Sequence, residues 1–499
     1  MNKALSSCLL GVGLLSSALS HGQDFAEITL DSPYTPIQPL FAADVIAGDN
    51  LEIVLLGVDD KSERHLVLYG VNAQGDGLVT LDDITIPRHF HSFDMERDPE
   101  KKRPGIFFMS ANELATYQPG ENGGALKSIA KISSVYQQEA TSLLARARFV
   151  TDINQDGLLD LQVADFNRLH LYLSTPDGDW VAEELPIPAQ MVAENGRVTY
   201  SAPAVFVEDA NGDKLMDVVH AQDGQLVVYP QTGKGEFGDP ITVKINPDIN
   251  GIDWWNKRDA NGEEFDQSQL VYRKLDQLKD INNDGWPDMV VRFTQSKGVL
   301  DRTNDYEVYL GKGLIDRVSY GNKADSVIRA DGTLTGLDFV DIDHDGRFEV
   351  TLAGFDIGVG QIIGALLSGS IDQDVYLYQL NGDDKFGEEP ATAHTVDLKF
   401  SLTKGQSGSA IVKLADINGD GYKDLLLSKD TKALRIYAGQ QGSSPFASKA
   451  IRYKTLLPEN GEPVQTADIN RDGKADLLLR FGRLDASEQL RTIKILLAR

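Results

Sequence analysis

Oxygen-bearing side chains occupy positions one, three, five and nine of a nine-residue segment that occurs six times in this 499-residue chain, and five copies have glycine at position six. The first three sets are Asp152, Asn154, Asp156 and Asp160; Asp209, Asn211, Asp213 and Asp217; and Asp280, Asn282, Asp284 and Asp288. The others are Asp341, Asp343, Asp345 and Glu349; Asp416, Asn418, Asp420 and Asp424; and Asp468, Asn470, Asp472 and Asp476. Oxygens on alternate residues of a tight loop, closed by a carboxylate, suit a hard cation that takes about six to eight oxygens, Ca²⁺ above all. The pattern predicts about six Ca²⁺ sites. A helical EF-hand would need an acid at position twelve, where these loops carry Val163, His220, Val291, Leu352, Leu427 and Leu479. The metal-free alternative is a set of Asx-rich turns, but carboxylates crowded into nine residues repel one another unless a cation separates them. In the second copy Lys214 replaces the turn glycine, which predicts a weaker site or a strained backbone there.

The loops also account for much of the formal net charge of −27. Six bound Ca²⁺ ions would bring −27 to about −15. No basic face is legible, which argues against a nucleic-acid partner.

Short apolar runs flank every copy, such as Val205-Phe206-Val207 before and Met289-Val290-Val291 after, so each motif joins two strands of a hairpin. A third strand ending on tyrosine follows most copies, at Tyr172, Tyr229, Tyr309, Tyr378 and Tyr437, and a Gly/Asp-rich turn then leads to a fourth. These tyrosines read as packing residues at a fixed place in the repeat. Two eroded units precede the six, around Asp44 to Glu52 with Tyr69 and around Asp94 to Asp98 with Tyr117. The last unit ends at Arg499 one strand short, and the run Ala26–Leu30 can supply that strand and close a ring. The expectation is an all-β chain: a β-propeller of eight four-stranded blades, or seven if one eroded unit is not a blade, with calcium-binding hairpin loops.

On these motifs, over roughly residues 40–499, the chain resembles the FG-GAP/VCBS repeat family, the propellers related to integrin α-subunit heads. The resemblance implies Ca²⁺ in the complete loops and none in the two eroded ones. It does not fix one function.

The N-terminus reads as a secretory signal over residues 1–20, with Lys3, an apolar run to Leu19 and a small-residue site at Ala18-Leu19-Ser20. Residues 21–499 then form a single propeller domain, periplasmic or extracellular. Cys8 is the only cysteine and lies inside the leader, with too little apolar sequence before it for lipoprotein processing. An exported chain without disulfides needs another staple, and metal loops are one. No later apolar run reaches membrane-spanning length.

Three insertions are the candidate recognition loops: the link at about 246–270, and the second turns at about 294–305 and 354–373. Chain direction puts all three on the ring face opposite the metal loops, because first and third turns share one face while second turns and links share the other. They carry Trp254, Trp255, Lys257 and Arg258, then Lys297 and Arg302, then the apolar stretch from Gly358. Paired tryptophans beside cations suit stacking on sugar rings or anchoring a protein, although they could equally plug the long loop. The expected role is a secreted binding or adhesion module for a glycan or a surface protein. One alternative is a secreted polysaccharide lyase or other carbohydrate-active enzyme, a lyase drawing on His89, His91, Tyr272 and Arg273, with the two histidines placed on one face by strand alternation. The other is a scaffold with no ligand of its own. No hydrolase, zincin, nucleotide-loop or dinucleotide fingerprint occurs.

Overall fold

A computed structural model describes residues 24–499 apart from 47, 96–104, 122, 137–143, 195–196, 234, 247, 260, 297, 299–301, 330–332, 356–368, 402–405 and 443. The leader, Cys8, Glu96, Asp98, Lys297 and the stretch from Gly358 lie outside the described residues. Apart from two short 3₁₀ turns, Trp254–Asn256 and Ser487–Gln489, the regular structure described is all strand. Among the described residues no helix is long and apolar enough to cross a membrane.

Strands pair in chain order as antiparallel units of four. Blade 1 comprises Phe41–Ala43, Glu52–Val58, Arg64–Val71 and Leu78–Ile86, and blade 2 runs from Ser92–Met95 to Ala125–Lys131. Both eroded units are therefore blades, and the count is eight. Blade 3 spans Val150–Thr151 to Trp180–Leu185, blade 4 Val205–Glu208 to Ile241–Lys244, and blade 5 Val271–Lys279 to Ser326–Ile328. Blade 6 spans Thr333–Val340 to Thr392–Ser401, and blade 7 Val412–Ala415 to Ile451–Lys454. Blade 8 takes Gln465–Ala467, Asp476–Arg480 and Thr492–Ala498 from the C-terminus and Phe25–Asp31 from the N-terminus. In that closure Phe25 pairs with Ala498 and Asp31 with Thr492, so the C-terminal strand is covered and the two chain ends meet in one blade.

The core is distributed around the ring. Apolar clusters fill every seam between neighbouring blades, including the one that unites blade 8, through Ile28, Ile469 and Ile493, with Ile53 and Val67 of blade 1. Alternating side chains explain this: a central strand of a blade, such as Leu425-Leu426-Leu427, buries one set of residues against each neighbour. The tyrosines sit where the repeat predicts, at or near the ends of third strands. Tyr309 and Tyr378 are fully buried, with hydroxyls donating to Glu307 and to the Arg329 carbonyl.

Candidate functional site

Every six-fold motif forms the turn between the first and second strands of its blade, in blades 3 to 8. Within each loop the position-one carboxylate accepts the amide of position six: Asp152 from Gly157 at 3.0 Å, Asp280 from Gly285 at 2.8 Å, Asp416 from Gly421 and Asp468 from Gly473 both at 2.8 Å. The position-five carboxylate accepts the amide of position seven, as Asp156 does from Leu158 and Asp420 from Tyr422. These bonds hold the backbone of the loop in its turn. Position four is left-handed in all six loops, at Gln155, Gly212, Asn283, His344, Gly419 and Arg471, a demand that its varied side chains conceal in the sequence. Lys214 takes the position-six conformation with φ of +70°, so the strain anticipated there is present.

Position nine does a second job. Asp160, Asp217, Asp288, Asp424 and Asp476 are fully buried, and each accepts the amide of position two through one oxygen and an amide at or just after the third strand through the other. For Asp160 these donors are Ile153 and Ser174, both at 2.9 Å. Each acid thus ties the first turn to the end of the third strand of its blade. Burial pushes Asp160, Asp217, Asp288 and Asp476 up to about 7, with the loop's other carboxylates adding to the shift. The eroded blade 1 keeps only the local half of this arrangement: one oxygen of buried Glu52 accepts from the amides of Val45 and Ile46. There Arg471 of the adjoining loop pairs with Asp44 at 2.6 Å, a cationic side chain in contact with the residual carboxylate.

Five loops differ from the sixth. Where position three is asparagine, its amide nitrogen donates to the position-five carboxylate at 3.0–3.2 Å, as Asn154 does to Asp156, Asn211 to Asp213 and Asn282 to Asp284. The loop at 341–349 has Asp343 instead and no such donor. Ligand oxygens of Asp341, Asp343 and Asp345 lie within 4.8 Å of one another. Asp341 Oδ1 and Asp343 Oδ1 are buried without a hydrogen-bond partner. Burial, then Asp345 and Asp341, raises the Asp343 carboxyl. Unpartnered carboxylate oxygens converging on one point fit a hard cation.

On the opposite face the link from blade 4 to blade 5 separates the two tryptophans. Trp254 is 9% exposed and packs with Leu270, Tyr272 and Phe265, while Trp255 is 47% exposed and meets it edge-on with ring centroids 5.3 Å apart. Arg302 lies 5.1 Å over the Trp254 ring and Arg292 lies 5.5 Å over Trp255. Lys257 is held by Asp223 and Asn250, both at 2.5 Å, and Arg258 donates to the Trp255 carbonyl at 3.0 Å. One tryptophan therefore plugs the loop and the other is presented. Sequence reasoning missed the hairpin Gln190–Glu194 with Arg197–Ser201 in the preceding link, although Asn195-Gly196 between two alternating runs is a hairpin signal. It leaves Met191, Val198 and Tyr200 exposed, with Tyr200 edge-on to Phe166 at 4.8 Å.

The residues considered for lyase chemistry are not assembled. His91 is buried, bonding Ser92 at 2.9 Å, while His89 lies in the turn before it, exposed, near Glu113. The strand alternation expected to align them begins only at Ser92. Tyr272 and Arg273 belong to blade 5, where the Tyr272 hydroxyl donates to the Ile252 carbonyl and Arg273 is clamped by Glu307 at 2.7 and 2.9 Å.

A family model for the FG-GAP-like repeat matches residues 416–479, from the blade 7 loop into the second strand of blade 8. No curated protein sequence matches the chain. Among similar solved structures, an Agrocybe aegerita lectin that recognises non-reducing terminal N-acetylglucosamine is 16% identical, with 85% of this chain and 94% of that one covered at a TM-score of 0.43. Sqt1 from Chaetomium thermophilum is 9% identical over 96% and 98% of the two chains at 0.40. The Pseudomonas aeruginosa periplasmic gluconolactonase PpgL is 13% identical over 72% and 88% at 0.36. Repeat match and eight-blade arrangement together make this chain an FG-GAP-like β-propeller.

Proposed function

We propose that the chain is an exported glycan-binding module whose ring is stapled by Ca²⁺ on one face and which presents its ligand surface on the other. The observation that carries the ligand reading is the platform at Trp255: a half-exposed indole, braced edge-on by a buried indole and flanked by a guanidinium. Such a ring offers an apolar face to the C–H face of a sugar while adjacent donors take its hydroxyls. Support for the metal comes from the converging, unpartnered oxygens of Asp341 and Asp343. Residues Asp341, Asp343, Asp345 and Glu349 would hold the ion there, and the corresponding sets would do so in the other five loops; the bound ion would supply structural cross-linking and no reaction step.

A glycan array probed with the full chain and with Trp255→Ala tests this. The expected result is binding to a defined glycan class that the variant loses while its melting temperature stays unchanged. Binding that is unaffected by Trp255→Ala would remove the platform from the account, and no binding across the array would remove the glycan.

A further inference from the structure

A cavity of about 420 Å³ lies among blades 3, 4 and 5, on the side from which the links enter their inner strands, the side to which the Trp255 link belongs. It is lined where the links enter the inner strands of blades 3 and 4 and by the first half of the inner strand of blade 5, with Arg148, Gln162, Pro203, Phe206, Lys274 and Asp276 among its walls. This size lies in the range of small-ligand pockets, and the mix of apolar rings with a few polar groups is what such pockets use. Its charges are uneven. Lys274 Nζ sits 2.8 Å from Asp276, and Arg292 approaches the same carboxylate at 3.7 Å. Arg292 also pairs with Asp253. Arg148 is exposed, lines the cavity and has no ion-pair partner among the described residues. Two carboxylates therefore face three cations, a local surplus of positive charge in a chain of net charge −27.

Arg292 joins the cavity to the platform, since it lies over the Trp255 ring and reaches Asp276 on the cavity wall. We propose that this cavity receives the carboxylate of an acidic sugar at the end of a glycan whose neighbouring ring stacks on Trp255, with the Arg148 guanidinium as the carboxylate clamp. The inference rests on the glycan reading above and specifies its ligand class. A planar guanidinium matches a carboxylate with paired N–H donors, which Lys cannot do. The overall negative charge selects further: a long polyanion is repelled by the rest of the surface, while a single terminal carboxylate meets only the local cationic cluster.

The test measures calorimetric binding of two probes to the full chain: 3′-sialyllactose and a trisaccharide ending in glucuronic acid, each beside its methyl ester, which keeps the shape and removes the charge. At least one acid should bind about tenfold or more tighter than its ester, a ratio expected for a charge-assisted pair. Arg148→Ala should bring acid and ester to equal affinity without moving the melting temperature, and Arg148→Lys should restore part of the preference. Trp255→Ala should weaken acid and ester alike. An acid and ester bound equally, with Trp255 dependence intact, overturns the cavity assignment and leaves the glycan reading standing. No binding of any of the four probes overturns the assignment, and the array then decides whether the glycan reading falls with it.

Discussion

Asp343→Asn distinguishes a cation-binding loop from a merely acidic turn. In the metal-free protein Asp343 shares its surroundings with Asp341 and Asp345, ligand oxygens within 4.8 Å. Two unit charges at that outer limit repel by about 3.5 kcal/mol at an effective dielectric near 20 and by just under about 1 kcal/mol in water. For a partly buried loop the repulsion is therefore on the order of 1–3 kcal/mol. The amide would also supply the donor that the five sister loops use toward position five, at 3.0–3.2 Å, adding roughly 1 kcal/mol. In chelator the variant should be more stable than wild type by about 2 kcal/mol, or roughly 1–4 °C for so long a chain. In saturating calcium much of that gain should vanish, because removing one anionic ligand and weakening the site about tenfold costs about 1.4 kcal/mol of ligand-linked stability. Calorimetric melting of both proteins in chelator and in millimolar calcium measures the difference. Destabilisation in chelator, or the same shift under both conditions, would refute the reasoning.

Other outcomes follow from the same geometry. Lys214→Gly should raise stability by up to about 1 kcal/mol in urea denaturation, since φ of +70° strains lysine and not glycine. Trp254→Ala should cost about 3 kcal/mol or more, the usual loss for a buried indole, whereas Trp255→Ala should cost under about 1 kcal/mol. Burial lowers the His220 imidazole below its ordinary value, with Nδ1 bonded to the Ala204 carbonyl. Below about pH 6.5 the unfolded chain then binds a proton that the folded chain resists, so stability is present above that pH and is lost on acidification. His220→Gln should accordingly show a gap from wild type that narrows between pH 7 and pH 5 in thermal melts.

The sequence period carried most of the architecture because most blades repeat one local grammar: hairpin, acidic nine-residue turn, tyrosine-marked third strand. Even the closing strand was legible, since Ala26–Leu30 was the unpaired apolar run that blade 8 lacked. Three features were not legible. The left-handed residue at position four can be Gln, Asn, His, Arg or Gly, so no residue type announces it. Position nine looks like one more ligand in sequence, and only burial between two backbone amides reveals its tie across the blade. The roles of Trp254 and Trp255 are set by which ring meets Leu270 and Tyr272, a tertiary contact that their adjacency in sequence cannot specify. Long insertions likewise marked the candidate recognition face without giving the charge of the cavity beside it.

Calcium titration of metal-stripped protein, followed by calorimetry and by the melting temperature of the same samples, addresses the central claim most directly. The account predicts uptake of about six ions per chain and a melting temperature that climbs with each addition until the loops are filled. No heat of binding, with melting unmoved at millimolar calcium, would contradict it.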